Sequence, residues 1–308
     1  MRILLAVDGS KLSEAATRTV ITQARPQDTE VHVLHVIDVL STQLPEMMAA
    51  YPGVEHDRDA QRKPAEALVA KTAEMLRAKG LRVTTAVELG CPKSKIIDTA
   101  AESHVDLIVL GSHGRTGLDR FLMGSLPDSV LRHADCSVEL VRLPRSAKGS
   151  KRISGAAKGK VRRILLAIDD SKFSKAALQL LIEQVPNETE VRVLHVVEPL
   201  PRLLARGTGG YNPALDKLQE ARTRQAQDLV AKFAEMLSSN NLKVTTSVGK
   251  GDPKSKILDA AEQWKADLIV LGSIGQTGLE RFLMGSVSDT VACHARCSVE
   301  VVRIRPSH

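Results

Sequence analysis

Two stretches of the chain hold residue types suited to gripping phosphate. Residues 111–125 read GSHGRTGLDRFLMGS, and residues 272–286, 161 positions later, read GSIGQTGLERFLMGS. Each follows an apolar run, DLIVL, and each fits one frame, G-x2-G-x9-G-S. Glycine lets backbone approach a ligand closely and adopt positive φ. The last pair of each frame, Gly124-Ser125 and Gly285-Ser286, stands where a helix is expected to open. A helix start offers unpaired N–H groups and partial positive charge, so an anionic phosphate is its natural partner. A serine hydroxyl there adds one more donor. Any one of these glycines alone reads as a tight turn. The whole frame, written twice after the same strand, points to a polyphosphate held from two sides.

The elements that must position such a site follow from the repeat. RILLAVDGSKLSEAA (2–16) matches RILLAIDDSKFSKAA (163–177), and TEVHVLHVID (29–38) matches TEVRVLHVVE (189–198). CSVELVR (136–142) matches CSVEVVR (297–303). A period near 160 is too long for a solenoid, so the chain is a duplicated domain. Domains are expected at 1–145 and 161–308, with a linker at 146–160. In the first half, strands are expected near 2–7, 30–36, 81–87, 105–110 and 137–142. Their near-continuous apolar character suits parallel strands covered on both faces. Ser10 is placed to cap a helix over 11–24, and Pro92 fits the first position of another. Residues 57–79 carry Ala67, Leu68, Ala70, Met75 and Leu76 at helical spacing. Ser125 precedes a helix running to about 133. Alternating strands and helices imply two tandem doubly wound α/β domains. In such sheets ligands sit beyond the carboxyl ends of the strands, at the topological switch point.

Composition narrows the function classes. The chain has 308 residues and a net charge of +7, but the segment 146–163, SAKGSKRISGAAKGKVRR, holds seven basic residues and no acid. The basic excess therefore sits in one Gly/Ser/Ala-rich stretch, which reads as a solvated linker. Aromatic residues make up 2%, too few for base-stacking platforms, so a nucleic-acid partner is not expected. No run approaches the ~18–20 apolar residues of a membrane span. MRILLAVDGS is no signal peptide, and four cysteines form no disulfide ladder. A cytoplasmic protein is the expectation.

With an Asp ending the first strand of each half, Asp8 and Asp169, and with His35-Val36 and His195-Val196 repeated, the chain resembles the ATP-binding branch of the universal stress protein family. The resemblance covers both halves, everything but the linker. It implies a five-stranded parallel sheet of order 3-2-1-4-5 in each, with strands 1 and 4 adjacent, so that Asp8 and Gly111 share a crevice. It implies that Ala6 and Asp8 line the adenosine side and that Val36 offers backbone to adenine. Gly111, His113, Gly114 and Arg115 would wrap ribose and phosphates, and Gly124, Ser125 and Leu126 would hold the distal phosphates. The matching set in the second half is Ala167, Asp169, Val196, Gly272, Gly275, Gly285, Ser286 and Val287. ATP with magnesium is the implied ligand. The family resemblance also implies pairing through the last strand, here as an intrachain pseudo-dimer, with a homodimer beyond it.

The halves differ where phosphate is expected: His113 becomes Ile274, Arg115 becomes Gln276 and Gly9 becomes Asp170. Losing one charge-assisted bond of roughly 1.5–3 kcal/mol predicts weaker binding in the second half. His35 and His195 sit near strand ends and read as packed, hydrogen-bonded residues. Cys293-His294-x-x-Cys297 lacks the second pair a metal site wants, so no metal ligands are assigned. Segments 40–53 and 200–213 follow the second strand of each half and fit either a lid or an ordinary loop. GxxxxGK[ST] is absent, and VDGSKLS lacks the paired glycines of a pyrophosphatase loop. Three functions stand at this point: an ATP-binding regulatory protein with no catalytic residues, a slow magnesium-dependent ATPase, or a scaffold with structural glycines.

Overall fold

A computed structural model of the chain describes residues 1–24, 28–38, 54–113, 123–143, 162–185, 189–200, 213–275 and 284–305. The chain divides into two compact units, Met1–Lys158 with Ile304–His308, and Gly159–Arg303. The expected linker at 146–160 and the lid or loop segments at 40–53 and 200–213 lie outside the described residues, save Leu200 and Pro213.

Unit 1 runs β1 (Arg2–Ala6), α1 (Lys11–Gln23), β2 (Glu30–Asp38), α2 (Val54–Arg77), β3 (Arg82–Gly90), α3 (Pro92–Glu102), β4 (Leu107–Gly111), α4 (Ser125–His133) and β5 (Ser137–Val141). Unit 2 repeats it as β6 (Arg163–Ile168), α5 (Lys172–Gln184), β7 (Glu190–Val197), α6 (Pro213–Ser238), β8 (Lys243–Lys250), α7 (Pro253–Trp264), β9 (Leu268–Gly272), α8 (Ser286–His294) and β10 (Ser298–Val302). Strand order is β3-β2-β1-β4-β5 in one unit and β8-β7-β6-β9-β10 in the other. The pairs within each unit are parallel. These are tandem doubly wound α/β domains.

The apolar strands explain the layering. In β1, Ile3 and Leu5 join a core with Ala16 and Val20 of α1 and Val69 and Leu76 of α2. Leu4, turned the other way, is also fully buried, so both faces of the sheet are covered. Helices α3 and α4 pack against each other and bury Ile96, Ala100, Val130 and Leu131. The face of α2 corrects the sequence pattern. Ala65, Val69, Thr72, Ala73 and Leu76 are buried, whereas Ala67 and Ala70 are exposed and Met75 is 40% exposed. Alanine is compatible with either face, so it marked the helix without marking its side.

The start of β4 is also later than expected. His104 takes a left-handed φ of 49°, and Val105 N–H returns to Ala100 O at 3.0 Å, closing α3. Val105 belongs to that C-terminal cap, and the strand opens only at Leu107. In unit 2 Lys265, with φ 54°, makes the same stop.

Candidate functional site

The crevice lies beyond the carboxyl ends of β1 and β4, which pair as Ile3↔Leu107 through Leu5↔Val109. The chain turns off β1 through a fixed loop. Val7 N–H donates to Leu34 O at 2.9 Å. His35 Nδ1 lies 2.6 Å from Val7 O, and since a carbonyl only accepts, that nitrogen carries the proton. Asp8 Oδ1 accepts from Ser10 N–H at 2.9 Å, Asp8 N–H donates to Ser13 Oγ at 3.2 Å, and Ser10 Oγ caps α1 through Ser13 N–H at 3.2 Å. Unit 2 copies this set. His195 Nδ1 meets Ile168 O at 2.8 Å, Ser171 N–H meets Asp169 Oδ1 at 3.1 Å, and Ser174 Oγ donates to Asp169 Oδ1 at 2.7 Å. The histidines thus hold the aspartate loops in place and have no reacting partner among these contacts. The serines at the third and sixth positions of D-x-S-x-x-S were missed as site residues, although comparing the halves makes the spacing visible.

The two loops differ at one residue. Gly9 has φ 78°, whereas Asp170 closes the same turn without positive φ and pairs with Lys175 at 3.6 Å.

Gly111 and Gly272 have a different reason for being glycine than the one expected. A Cβ on Gly111 would stand 2.8 Å from Leu12 Cβ, and on Gly272 2.6 Å from Phe173 Cβ. These glycines let the first turn of α1 or α5 lie against the end of β4 or β9. Their role is close helix–strand packing, and approach to a ligand is not what excludes a side chain there.

The next glycine does face the aspartate. A Cβ on Gly275 would stand 2.9 Å from Asp169 Oδ2, so the strand-end carboxylate fills the space a side chain on the second glycine of the frame would need. The equivalent Gly114, with Arg115, lies outside the described residues. The frame then closes on itself. Gly124 N–H donates to Ser112 O at 3.0 Å, and Gly285 N–H to Ser273 O at 2.8 Å. The Gly124 and Gly285 amides are therefore committed within the protein and are not donors to a ligand. The helices they introduce, α4 and α8, have no side-chain cap on their first turn, unlike α1 and α5. Ser125 and Leu126 in one unit, and Ser286 and Val287 in the other, carry the leading amides. Pro127 has no N–H; its counterpart Ser288 shares its one hydroxyl proton between Ser273 O at 2.7 Å and Gly285 O at 2.8 Å.

Val36 joins the crevice through its backbone. Leu34 O points toward β1, where it accepts from Val7 N–H. Strand residues two apart turn their polar groups the same way, so Val36 presents N–H and C=O on that side, past the end of β1 at Ala6. Val196 of β7 occupies the matching register beyond Ala167↔Leu194. Ala6 is half-buried and Ala167 is buried at the same strand end.

His113 stands between the two parts of the frame. Its Nδ1 lies 3.1 Å from Ser112 Oγ, and its Nε2 is inaccessible to solvent without a hydrogen-bond partner. Ile274 holds the same seat in unit 2 and is 8% exposed.

Other features stand apart from this site. A hollow of about 720 Å³ on α6 and the end of β8 is lined by Asp216, Lys217, Glu220, Arg224 and Lys250, among others, and includes none of the crevice residues. Among the described residues no cluster of three His, Cys, Asp or Glu is placed to hold a metal ion, and no helix is long and apolar enough to cross a membrane.

Comparison with known proteins accounts for both units. The family model described as universal stress protein family matches residues 1–142 and 160–303. A universal stress protein of Mycolicibacterium smegmatis is 28% identical over 308 residues, spanning 98% of this chain and 97% of its own. The crystal structure of a universal stress protein from Archaeoglobus fulgidus superposes with TM-score 0.66 at 21% identity, covering 98% of each chain. A family member from Arabidopsis thaliana, solved with AMP bound, covers 46% of this chain and 91% of its own at 18% identity and TM-score 0.33.

Proposed function

The chain belongs to the universal stress protein family, and from that premise we propose that each unit binds ATP and that occupancy regulates which surface the protein offers to partners. The observation that carries this reading is the close placement in unit 2 of Asp169 Oδ2 beside Gly275, 2.9 Å from where its Cβ would stand. It joins the strand-end acid, suited to a ribose hydroxyl, to the glycine frame, suited to phosphates, in one crevice at the switch point. The openings of α4 and α8 support it, since no N-cap side chain takes their leading amides.

In this reading Asp8 and Asp169 sit by the nucleoside, and the backbones of Val36 and Val196 take the adenine edge, flanked by Ala6 and Ala167. His113, Gly114 and Arg115, and in unit 2 Gly275, run along the phosphates. Ser125, Leu126, Ser286 and Val287 close over the distal ones. Gly124 and Gly285 shape the crevice without donating to the ligand, and Gly111 and Gly272 line it at the strand ends. Magnesium accompanies ATP as a phosphate counterion. The protein is read as cytoplasmic and homodimeric, with domains at 1–145 and 161–308 joined by a basic linker at 146–160.

Mass spectrometry of the supernatant from acid-denatured, freshly purified protein tests the ligand. Adenine nucleotide is expected in it. Gly275→Ala is expected to weaken ATP binding by unit 2 at least tenfold, about 1.4 kcal/mol, because the new methyl displaces Asp169 Oδ2. An empty supernatant together with no ATP uptake in titration would leave only the scaffold reading. Steady phosphate release that Asp8→Ala abolishes would replace the regulatory reading with an ATPase.

A further inference from the structure

We infer that His113 makes unit 1 discriminate between adenine ligands by their phosphate content more strongly than unit 2, where Ile274 stands in its place. The inference rests on the nucleotide reading of the crevice. Its starting point is the one buried imidazole nitrogen left unsatisfied among the described residues. His113 Nδ1 lies 3.1 Å from Ser112 Oγ, and Nε2 is out of reach of solvent without a partner. In the tautomer where the Ser112 hydroxyl donates to Nδ1, the ring proton sits on Nε2, a donor lacking an acceptor. A buried donor without an acceptor is costly, and a ligand oxygen that fills the role recovers the loss.

The location selects the kind of oxygen. His113 lies between Ser112, whose carbonyl receives the Gly124 amide, and Gly124 itself, where a Cβ would stand 3.5 Å from His113 Cα. It therefore occupies the seam between strand end and helix opening, where the phosphate chain is read to run. Unit 2 provides an internal control. Gly285 donates to Ser273 O, and a Cβ on Gly285 would stand 3.5 Å from Ile274 Cα. The seat is the same to within the hydrogen bond that shapes it, yet its occupant is a buried hydrocarbon with nothing to donate. Phosphate oxygens gain a bond in unit 1 that they lack in unit 2, and adenosine gains it in neither.

Calorimetric titration of the full chain with ATP and, separately, adenosine tests this. ATP is expected to bind in two classes about tenfold apart, the effect of one charge-assisted hydrogen bond, while adenosine binds in a single class. His113→Ile installs the side chain that unit 2 accommodates in this seat. It is expected to merge the ATP classes at the weaker value and leave adenosine unchanged. Ile274→His is expected to strengthen the weaker ATP class. Two ATP classes that persist in His113→Ile with their original separation would overturn the inference and leave nucleotide binding intact, assigning any difference to Arg115 and Gln276. An equal loss for ATP and adenosine would also overturn it. Absence of binding by either ligand to the unaltered protein would remove both the inference and the reading beneath it.

Discussion

Units 1 and 2 agree at several residues that position the strand-end crevice and diverge at others beside it. His35 and His195 hold the carbonyl after the first strand at 2.6 and 2.8 Å. Gly124 and Gly285 donate to Ser112 and Ser273 at 3.0 and 2.8 Å. Gly111 and Gly272 admit Leu12 and Phe173 against the strand end. Against that frame, Gly9 corresponds to Asp170, and His113 to Ile274. The duplicated scaffold keeps the histidine and glycine hydrogen bonds at the strand ends and varies neighbouring charges and donors. The two sites are therefore one architecture with two chemistries.

The comparison breaks most forcefully at the packing glycines. Gly272→Val places a branched side chain where even Cβ stands 2.6 Å from Phe173 Cβ and 3.2 Å from Phe173 C. Helix α5 cannot yield without moving its first turn, so overpacking should cost about 3 kcal/mol. Gly111→Val, with 2.8 Å to Leu12 Cβ and 3.4 Å to Leu12 C, should cost somewhat less. Denaturant melts of the two variants check both size and order. Unchanged melts accompanied by lost ATP binding would return these glycines to a direct ligand role.

That reassignment shows what a sequence can and cannot convey. The alternation of apolar strands and amphipathic helices, the caps at Ser10 and Ser171, and Pro92 and Pro253 at the first turn of α3 and α7 were all legible, because each depends on neighbours a few residues away. The glycine frame was legible as a pattern. The reason for Gly111 was not, because it depends on Leu12, which is remote in sequence and adjacent only once β1 and β4 pair. The buried face of α2 was blurred by alanines that suit either environment. The unsatisfied nitrogen of His113 follows from the hydrogen bonds of Ser112 and Gly124, which no spacing rule contains.

The turn after the first strand offers a milder way to sharpen the comparison. Gly9 sits at φ 78°, where a Cβ crowds the following carbonyl, whereas Asp170 reaches the same helix start with ordinary backbone. Gly9→Asp should therefore destabilise unit 1 by about 1 kcal/mol. Asp170→Gly should cost less, since it loses only an exposed ion pair to Lys175 and some backbone entropy. Thermal melts of the exchanged pair distinguish the two. Equal costs would mean that the loops share one backbone solution.

The smallest expected effect comes from the openings of α3 and α7, where one slot holds different acids. Asp252 accepts from Ser255 N–H at 2.9 Å and Ser255 Oγ at 2.8 Å, and these bonds hold its carboxyl below the usual carboxylate range. Cys91 holds the matching place without a capping bond of normal geometry, although the amides of Ser94 and then Lys93 pull its thiol below the usual value. A depressed pKa stabilises the fold above the unfolded-state value and loses that contribution as pH falls through the folded-state value. For Asp252 the window is acidic, so its cap is in place at neutral pH. For Cys91 the full contribution requires alkaline pH, above the ordinary thiol range, and fades on the way down. Cys91→Asp should therefore raise the thermal midpoint slightly at pH 7 and add a new loss of stability on the acid side, below the usual carboxylate pKa. A midpoint that falls at pH 7, or that rises without any acid-side dependence, would mean that the two helix openings are not equivalent.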